Sequence, residues 1–360
     1  MNIGFWKNKK VFLTGHTGFK GAWLALWLKE MGAVVTGYAL APPTHPSLFS
    51  ILRLDGGLDH HHLGDIRDYE KLRNALVESQ ADIVFHLAAQ PLVRRSYREP
   101  LETFAVNVMG TAHVLDAIRF CPSVKSAVIV TTDKCYENRE WFWPYREEDA
   151  MGGYDPYSSS KGCSELVTSA YRRSFFGEKG CAIASARAGN VIGGGDFAED
   201  RIIPDIYRAF SSGKTLEIRN PSSVRPWQHV LEPLSGYLEL AEKLFNEGQN
   251  FAEGWNFGPN TEDSITVREV VNHFTKTWKA TPQPEIQFGV PSGMHEAKNL
   301  QLDISKARQK LKWEPALTVE QGIQWTVEWY STFAGRPSGQ VEVITKKQIQ
   351  QYQAIVGTRA

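Results

Sequence analysis

The chain has 360 residues, 42% of them apolar and 22% charged, so two packed lobes around a large core are expected, one domain holding typically about 150 residues. Forty Lys plus Arg balance forty Asp plus Glu, which excludes a general electrostatic footprint for nucleic acid or an anionic membrane. The first residues lack the apolar stretch of a signal peptide, no apolar run approaches the ~18 residues of a membrane span, and Cys121, Cys135, Cys163 and Cys181 form no C-x-x-C pair; the reading is a cytoplasmic protein with no disulfide scaffold or structural metal.

In chain order, Val11 to Leu13 reads as a buried strand and Ala22 to Met31 as a helix, with Gly32 at its C-terminal cap. Val34 to Tyr38 is a second strand, and His61 to Leu63 lies in a third. Tyr69 to Ser79 is a helix and Asp82 to Leu87 a fourth strand. A long helix is predicted over Leu101 to Arg119, a fifth strand at Val128 to Val130, a helix over Tyr157 to Phe175, and a strand near Ala182 to Ala186. Strands separated by crossover helices predict an α/β fold, a Rossmann-type doubly wound parallel sheet over residues 1–187. Later segments near 230–258 are expected to join it. From 188 to 344, glycines and prolines break the chain into short elements, as suits a smaller mixed α/β C-terminal substrate-binding lobe. Residues 345–360, Gln-rich, are expected to be a helical tail.

Thr14 to Gly21 follows the first strand and opens the first helix with G-x-x-G-x-x-G spacing. Such a turn lets a pyrophosphate approach the backbone without a Cβ in the way and meet the positive end of a helix. Gly15, Thr17, Gly18, Phe19 and Gly21 are the candidate dinucleotide cradle. A P-loop is excluded, because Lys20 is followed by Gly21 rather than Ser or Thr. The acidic residue that usually ends the second strand and holds the adenosine ribose is absent after Tyr38, and no arginine stands there for a 2′-phosphate; the motif leaves NAD and NADP both open. Asp65 and Ile66 are candidates for an adenine contact, Asp65 being equally readable as a solvated strand end. Ala88, Ala89 and Gln90 are expected along the middle of the cofactor.

Tyr157 and Lys161 form Y-x-x-x-K at a helix start, where a four-residue step places both on one face. A free tyrosine, with a pKa of about 10, is a poor base at neutral pH. A neighbouring ammonium and the positive nicotinamide ring favour the phenolate, so Tyr157 can take a hydroxyl proton while hydride leaves, and Lys161 also holds the nicotinamide ribose. Thr132 ends the fifth strand, where a hydroxyl can hold the substrate oxygen. Asp133 and Lys134 add two ionisable groups that plain alcohol oxidation does not need. The adjacent His60, His61 and His62 point to alternate faces of a strand and suggest no metal site.

Over nearly its whole length the chain resembles the extended short-chain dehydrogenase/reductase superfamily. Within it, Thr14–Gly21, Ala88–Arg94 and Thr131–Tyr136 closely resemble the CDP-D-glucose 4,6-dehydratases. The resemblance implies NAD as cofactor, CDP-glucose as substrate, and CDP-4-keto-6-deoxyglucose plus water as products, on a bacterial route to the dideoxyhexoses of surface polysaccharide (O-antigen). It implies Asp133 as the acid for the departing C6 oxygen. The dTDP-sugar relatives carry Asp-Glu here with Glu as the C5 base; Lys134 stands in that place and is the candidate base. Arg187–Gly193 resembles R-x-x-N-x-x-G, placing Asn190 at the substrate diphosphate. Segments 201–204 and 223–230 resemble those that close on the nucleotide, implicating Arg201, Arg225 (a guanidinium fork for phosphate) and His229. The helices at Leu101–Arg119 and Tyr157–Phe175 are the surfaces expected to pair in a homodimer or homotetramer. A nucleotide-sugar 4-epimerase would share the cofactor turn and Tyr157/Lys161 without needing Asp133 and Lys134. A non-catalytic NAD(P)-sensing regulator would not need the Tyr/Lys pair.

Overall fold

The computed structural model describes residues 2–177, 180–279, 283–289, 299–335 and 338–358. Seven strands form the central sheet: β1 (Lys10–Thr14), β2 (Val34–Ala39), β3 (His60–Leu63), β4 (Ile83–His86), β5 (Ser126–Val130), β6 (Ala182–Ala188) and β7 (Gly254–Phe257). Their order is β7-β6-β5-β4-β1-β2-β3 and every pairing is parallel. The order reverses between β1 and β4, so the carboxyl ends of these two strands open the crevice in which ligands of such sheets sit.

Side-chain alternation divides the core into two. Val11 and Leu13 of β1, Ile83 and Phe85 of β4, and Val128 and Val130 of β5 face one layer. Phe12, Val84, Ala127 and Ile129 from the same strands face the other. The first layer is covered by α1 (Phe19–Glu30) and by a helix at Leu231–Glu247; the second by α2 (Tyr69–Ser79), α3 (Gly110–Arg119) and α4 (Pro156–Phe175). Both faces of β1, β4 and β5 are therefore apolar, which is why these strands read as continuous hydrophobic runs, whereas the edge strand β3 has no buried residue.

Helix α1 starts at Phe19, earlier than the expected Ala22, and is buried from Gly21 through Leu28. Its outer face is covered by the C-terminal helix Ser338–Gly357, with Trp27 edge-on to Tyr352 at 5.7 Å. The Gln-rich segment is thus a structural helix that starts before Thr345: the Tyr352 hydroxyl donates to Glu232 at 2.8 Å.

The helix expected over Leu101 to Arg119 is interrupted. An α-helical turn at Pro100–Phe104 passes through a π-helical segment at Ala105–Met109 before α3. The buried amide of Asn107 explains the widening: it accepts from the Gln90 backbone N–H at 2.8 Å and donates to the Gln90 carbonyl at 3.1 Å and Ser160 Oγ at 2.8 Å. Such local π segments let one side chain reach out of register with the helix.

Beyond β6 the elements are short. Asn190–Ile192 pairs in parallel with Trp227–His229, Val224–Arg225 pairs antiparallel with Ile265–Thr266, and Leu216–Ile218 pairs in parallel with Ile286–Phe288. Together with the helices Ile202–Ser212 and Val267–Thr277 they stand over the carboxyl edge of the sheet.

Candidate active site

The cofactor turn is built by close approach. Gly15 has φ +78°, and a Cβ there would lie 2.6 Å from the Ala88 backbone nitrogen; a Cβ on Gly21 would lie 2.1 Å from the Gly15 carbonyl oxygen. Gly18 caps α1 without a side-chain hydrogen bond, leaving the first N–H groups of the helix available to an anion. Thr17 turns away, donating to the Leu40 carbonyl at 2.9 Å. Where the second strand lacks its carboxylate, His16 of the turn meets His61 of β3, Nε2 to Nδ1 at 2.7 Å. Burial foremost, and then His61, bring His16 down to about 3, so it is neutral at physiological pH.

A cavity of about 580 Å³ opens from this turn along the ends of β4, β5 and β6. Phe19, Ala89, Thr132, Lys134, Tyr157, Lys161, Asn190, Arg201 and Arg225 all line it. The structure therefore brings together residues that lie more than two hundred positions apart in the chain. Lys20, Arg94 and Arg219 stand on the same wall.

Asp133, between the lining residues Thr132 and Lys134, is wholly buried and does not itself line the cavity. Its Oδ1 accepts from Thr132 Oγ1 at 2.9 Å and lies 3.9 Å from Lys134 Nζ. Its Oδ2 is buried with no hydrogen-bond partner. An orphaned buried acceptor costs about 1–3 kcal/mol and marks a position at which a bound hydroxyl would complete the carboxyl group. Asn190 Oδ1 is similarly buried and unpartnered. Lys134 is 30% exposed at the side chain.

Tyr157 and Lys161 both lie buried on α4. Burial pushes the Tyr157 phenol up to about 12, opposed by a hydrogen bond with Thr132. Burial lowers Lys161 to about 8, opposed by Glu165. Lys161 Nζ donates to the Val130 carbonyl at 3.2 Å. Glu165 continues the same helix face one turn on. It accepts from Ser185 Oγ at 2.5 Å, Arg187 Nη2 at 2.8 Å and the Thr131 hydroxyl. Arg187 in turn donates to Tyr136 Oη at 2.7 Å and the Glu147 carbonyl at 3.0 Å. This buried network fixes the end of β5 beneath Thr132.

Several expected contacts are placed elsewhere. His229 lies in the core rather than on the cavity wall, edge-on to Trp23 and Trp325 at 6.0 and 5.6 Å, with burial bringing it down to about 3. It sits on the strand face turned toward α1. Gln90 holds its own loop, its amide donating to Leu92 O at 3.1 Å and Thr103 Oγ1 at 2.9 Å. The Asp65 carboxylate is taken by Arg67, at 2.6 Å, and Ile66 is a core residue under Gly110. Ala88 donates its N–H to Thr14 Oγ1 at 3.2 Å. Arg201 stays on the wall but is ion-paired with Asp196 at 2.9 Å.

The family model for GDP-mannose 4,6 dehydratase matches residues 12–326. A CDP-glucose 4,6-dehydratase from Salmonella typhimurium is 54% identical over 334 residues, covering 91% of this chain and 92% of the relative. The chain belongs to this 4,6-dehydratase family. A dTDP-glucose 4,6-dehydratase of Xanthomonas campestris is 28% identical over 337 residues, 89% of this chain and 92% of that one. Among solved structures, a UDP-glucose 4-epimerase from Thermotoga maritima with UDP-glucose superposes with TM-score 0.77 at 24% identity, over 89% of this chain and 98% of the other. A dTDP-glucose 4,6-dehydratase from Bacillus anthracis in complex with NAD gives 0.74 at 23% identity, over 90% and 96%. These two share the fold of this chain. No helix among the described residues is long and apolar enough to cross a membrane.

Two residues of consequence escape sequence reasoning. Lys20 is a charged residue at the second position of a helix that is then uncharged through Leu28, which was a legible signal. Glu165 extends the Tyr157/Lys161 spacing by a further four residues, but nothing in the sequence says that Arg187 would meet it.

Proposed function

We propose that the chain is a cytoplasmic CDP-glucose 4,6-dehydratase, converting CDP-glucose to CDP-4-keto-6-deoxy-D-glucose plus water in bacterial dideoxysugar and O-antigen synthesis. The observation that carries this reading is the 54% identity over 91% of the chain to an enzyme of that name. The uncapped start of α1 behind Gly15 and Gly18 suits the pyrophosphate of NAD, and the cavity beyond suits its reactive end. NAD, when bound, would supply a hydride acceptor for C4 of the sugar and a hydride donor for C6.

The protein's own groups do the rest. Thr132 and Tyr157 hold the C4 hydroxyl, and Tyr157 accepts its proton. Lys161 holds the ribose next to the reacting ring. Once C4 is a ketone the C5 proton is acidic; Lys134, in its neutral form, removes it while the Asp133 carboxyl, in its protonated form, gives a proton through its unpartnered Oδ2 to the leaving C6 oxygen, and a proton is returned to C5 as hydride reaches C6. Asn190 and Arg225 bind the diphosphate, with Arg201 beside them. The test offers CDP-, dTDP-, GDP- and UDP-glucose with NAD and follows product mass in deuterated water. Loss of one water from CDP-glucose without net NADH is expected. Conversion without mass loss would make the chain an epimerase; absence of turnover on every sugar would favour a sensor. In Lys134→Met, exchange at C5 is expected to fall about 10²–10⁴-fold, the usual worth of a general base; normal exchange would remove that role from Lys134.

A homodimer or homotetramer is part of the same proposal. Leu101, Met109, Leu166 and Phe175 are 84%, 52%, 60% and 50% exposed on the segment leading to α3 and on α4. Apolar side chains concentrated in this way mark an association surface. Light scattering on the purified protein should give a multiple of the 40.5 kDa chain mass, and Leu166→Glu should shift it toward the monomer; a monomeric parent would refute the pairing.

A further inference from the structure

Lys20 has no part in the chemistry derived so far, yet its position is unusual. It is the second residue of α1, directly after the glycine turn, and it lines the same cavity as Tyr157 and Lys161. Its Nζ donates to the buried Tyr237 hydroxyl at 2.9 Å and stands 5.0 Å from the centre of that ring. Among the described residues no carboxylate is within ion-pair distance of it. A lysine taken into a cavity with a neutral phenol as partner keeps a charge that acts on whatever else occupies the cavity.

We propose that Lys20 is a positioning residue for the redox step: its ammonium disfavours the positively charged, oxidised nicotinamide relative to the neutral, reduced one, and so raises the hydride affinity of the bound cofactor. This rests on the NAD reading given above. The pyrophosphate is common to both cofactor forms, so attraction between Lys20 and the phosphates cancels in the ratio of their affinities. What remains is the ring, whose charge falls from +1 to zero as hydride arrives. A unit charge within about 10 Å, at an effective dielectric of about 20, changes that ratio about tenfold or more.

The charge on Lys20 is also adjustable. Burial foremost, then repulsion from Lys161 and Arg201, lowers it to about 7, with Asp133 acting in the opposite sense. The groups facing it are therefore Lys161 on α4, Arg201 with its partner Asp196, Asp133 after β5, and Tyr237. Below pH 7 Lys20 is charged and the reduced cofactor is favoured; as pH rises through 7 the charge and the preference are lost together. Lys161, lowered to about 8, titrates largely above this range.

The test measures dissociation constants for NADH by fluorescence and for NAD by displacement, using the full chain, Lys20→Met and Lys20→Arg at pH 6 and pH 7.5. At pH 6 the ratio Kd(NAD)/Kd(NADH) is expected to be about tenfold lower in Lys20→Met than in the parent. At pH 7.5 that difference should shrink. Lys20→Arg, whose charge does not titrate, should keep the high ratio at both pH values, and it decides the matter if Lys20→Met does not fold. A ratio unchanged by Lys20→Met, or one that falls with pH in Lys20→Arg as in the parent, overturns the inference while leaving NAD binding intact. If the parent binds neither nucleotide, the cofactor reading and this inference fall together.

Discussion

Tyr157→Phe is expected to lower kcat about 10²–10⁴-fold, the range for loss of a positioned acid–base group, while stability changes by no more than about 1 kcal/mol. The small structural cost follows from the surroundings: Thr132 keeps its hydrogen bond to Asp133 at 2.9 Å when the phenol is gone. The large kinetic cost follows from the proton. Burial holds the phenol at about 12, so at pH 7 only about one molecule in 10⁵ carries the phenolate by the Henderson relation. The Lys161 ammonium, bonded to the Val130 carbonyl, does not overcome this by itself. A positive charge brought in by the cofactor must, since an opposite charge within a few ångströms favours the ionised form. Ultraviolet difference spectra should thus show a phenolate signal near neutral pH only after NAD is added, and none in Tyr157→Phe. A signal of the same size in the variant, or kcat within threefold of the parent, would remove Tyr157 from the proton transfer.

Arg187→Met is expected to destabilise the protein by about 3–5 kcal/mol, because it leaves a buried carboxylate without its counter-charge. Glu165 and Arg187 are both buried, 2.8 Å apart. Burial alone would raise the Glu165 carboxyl, but Arg187 and the hydrogen bonds from Ser185 and Thr131 outweigh it and leave it below the ordinary value. A carboxyl lowered in the folded state stabilises the fold fully above its unfolded pKa of about 4.3 and loses that contribution as pH falls through the folded value. Urea midpoints measured from pH 7 down to pH 3 should fall in the parent below about pH 4.3. The Glu165→Gln variant should start lower and show a shallower fall. Equal slopes, or a loss under 1 kcal/mol in Arg187→Met, would mean that the pair is not coupled as its geometry indicates.

The consequence reaches the site. Glu165 accepts from Thr131, the residue before Thr132, and Arg187 holds Tyr136 just after Lys134. Weakening the pair therefore loosens both ends of the segment that carries Thr132, Asp133 and Lys134.

Much of this protein was determined by local sequence. Val11 to Leu13 followed by Gly15, Gly18 and Gly21 spelled a strand, a tight turn and a helix, because Gly15 takes a positive φ of +78° and a Cβ on Gly21 would meet the Gly15 carbonyl. Tyr157 and Lys161 shared a face because a helix repeats nearly every four residues. The parallel sheet followed from buried strands alternating with helices, and the resemblance of three short motifs placed the chain in its family before any coordinates. What tertiary structure alone decided concerns partners distant in sequence. The face of the short strand Trp227–His229 could not be known, so His229 was expected in the site and lies in the core against Trp23 and Trp325. The π segment depended on Asn107 finding Gln90 and Ser160. Lys161 was expected to favour the Tyr157 phenolate, and in the fold its ammonium also donates to the Val130 carbonyl at the end of β5. The partner of Lys20 is Tyr237, on a helix more than two hundred residues later, which no local pattern could name. Local geometry is set by backbone sterics and short spacing. Burial, charge balance and pKa are set by whichever groups the fold brings near, and those are what separate a dinucleotide-binding turn from a working site.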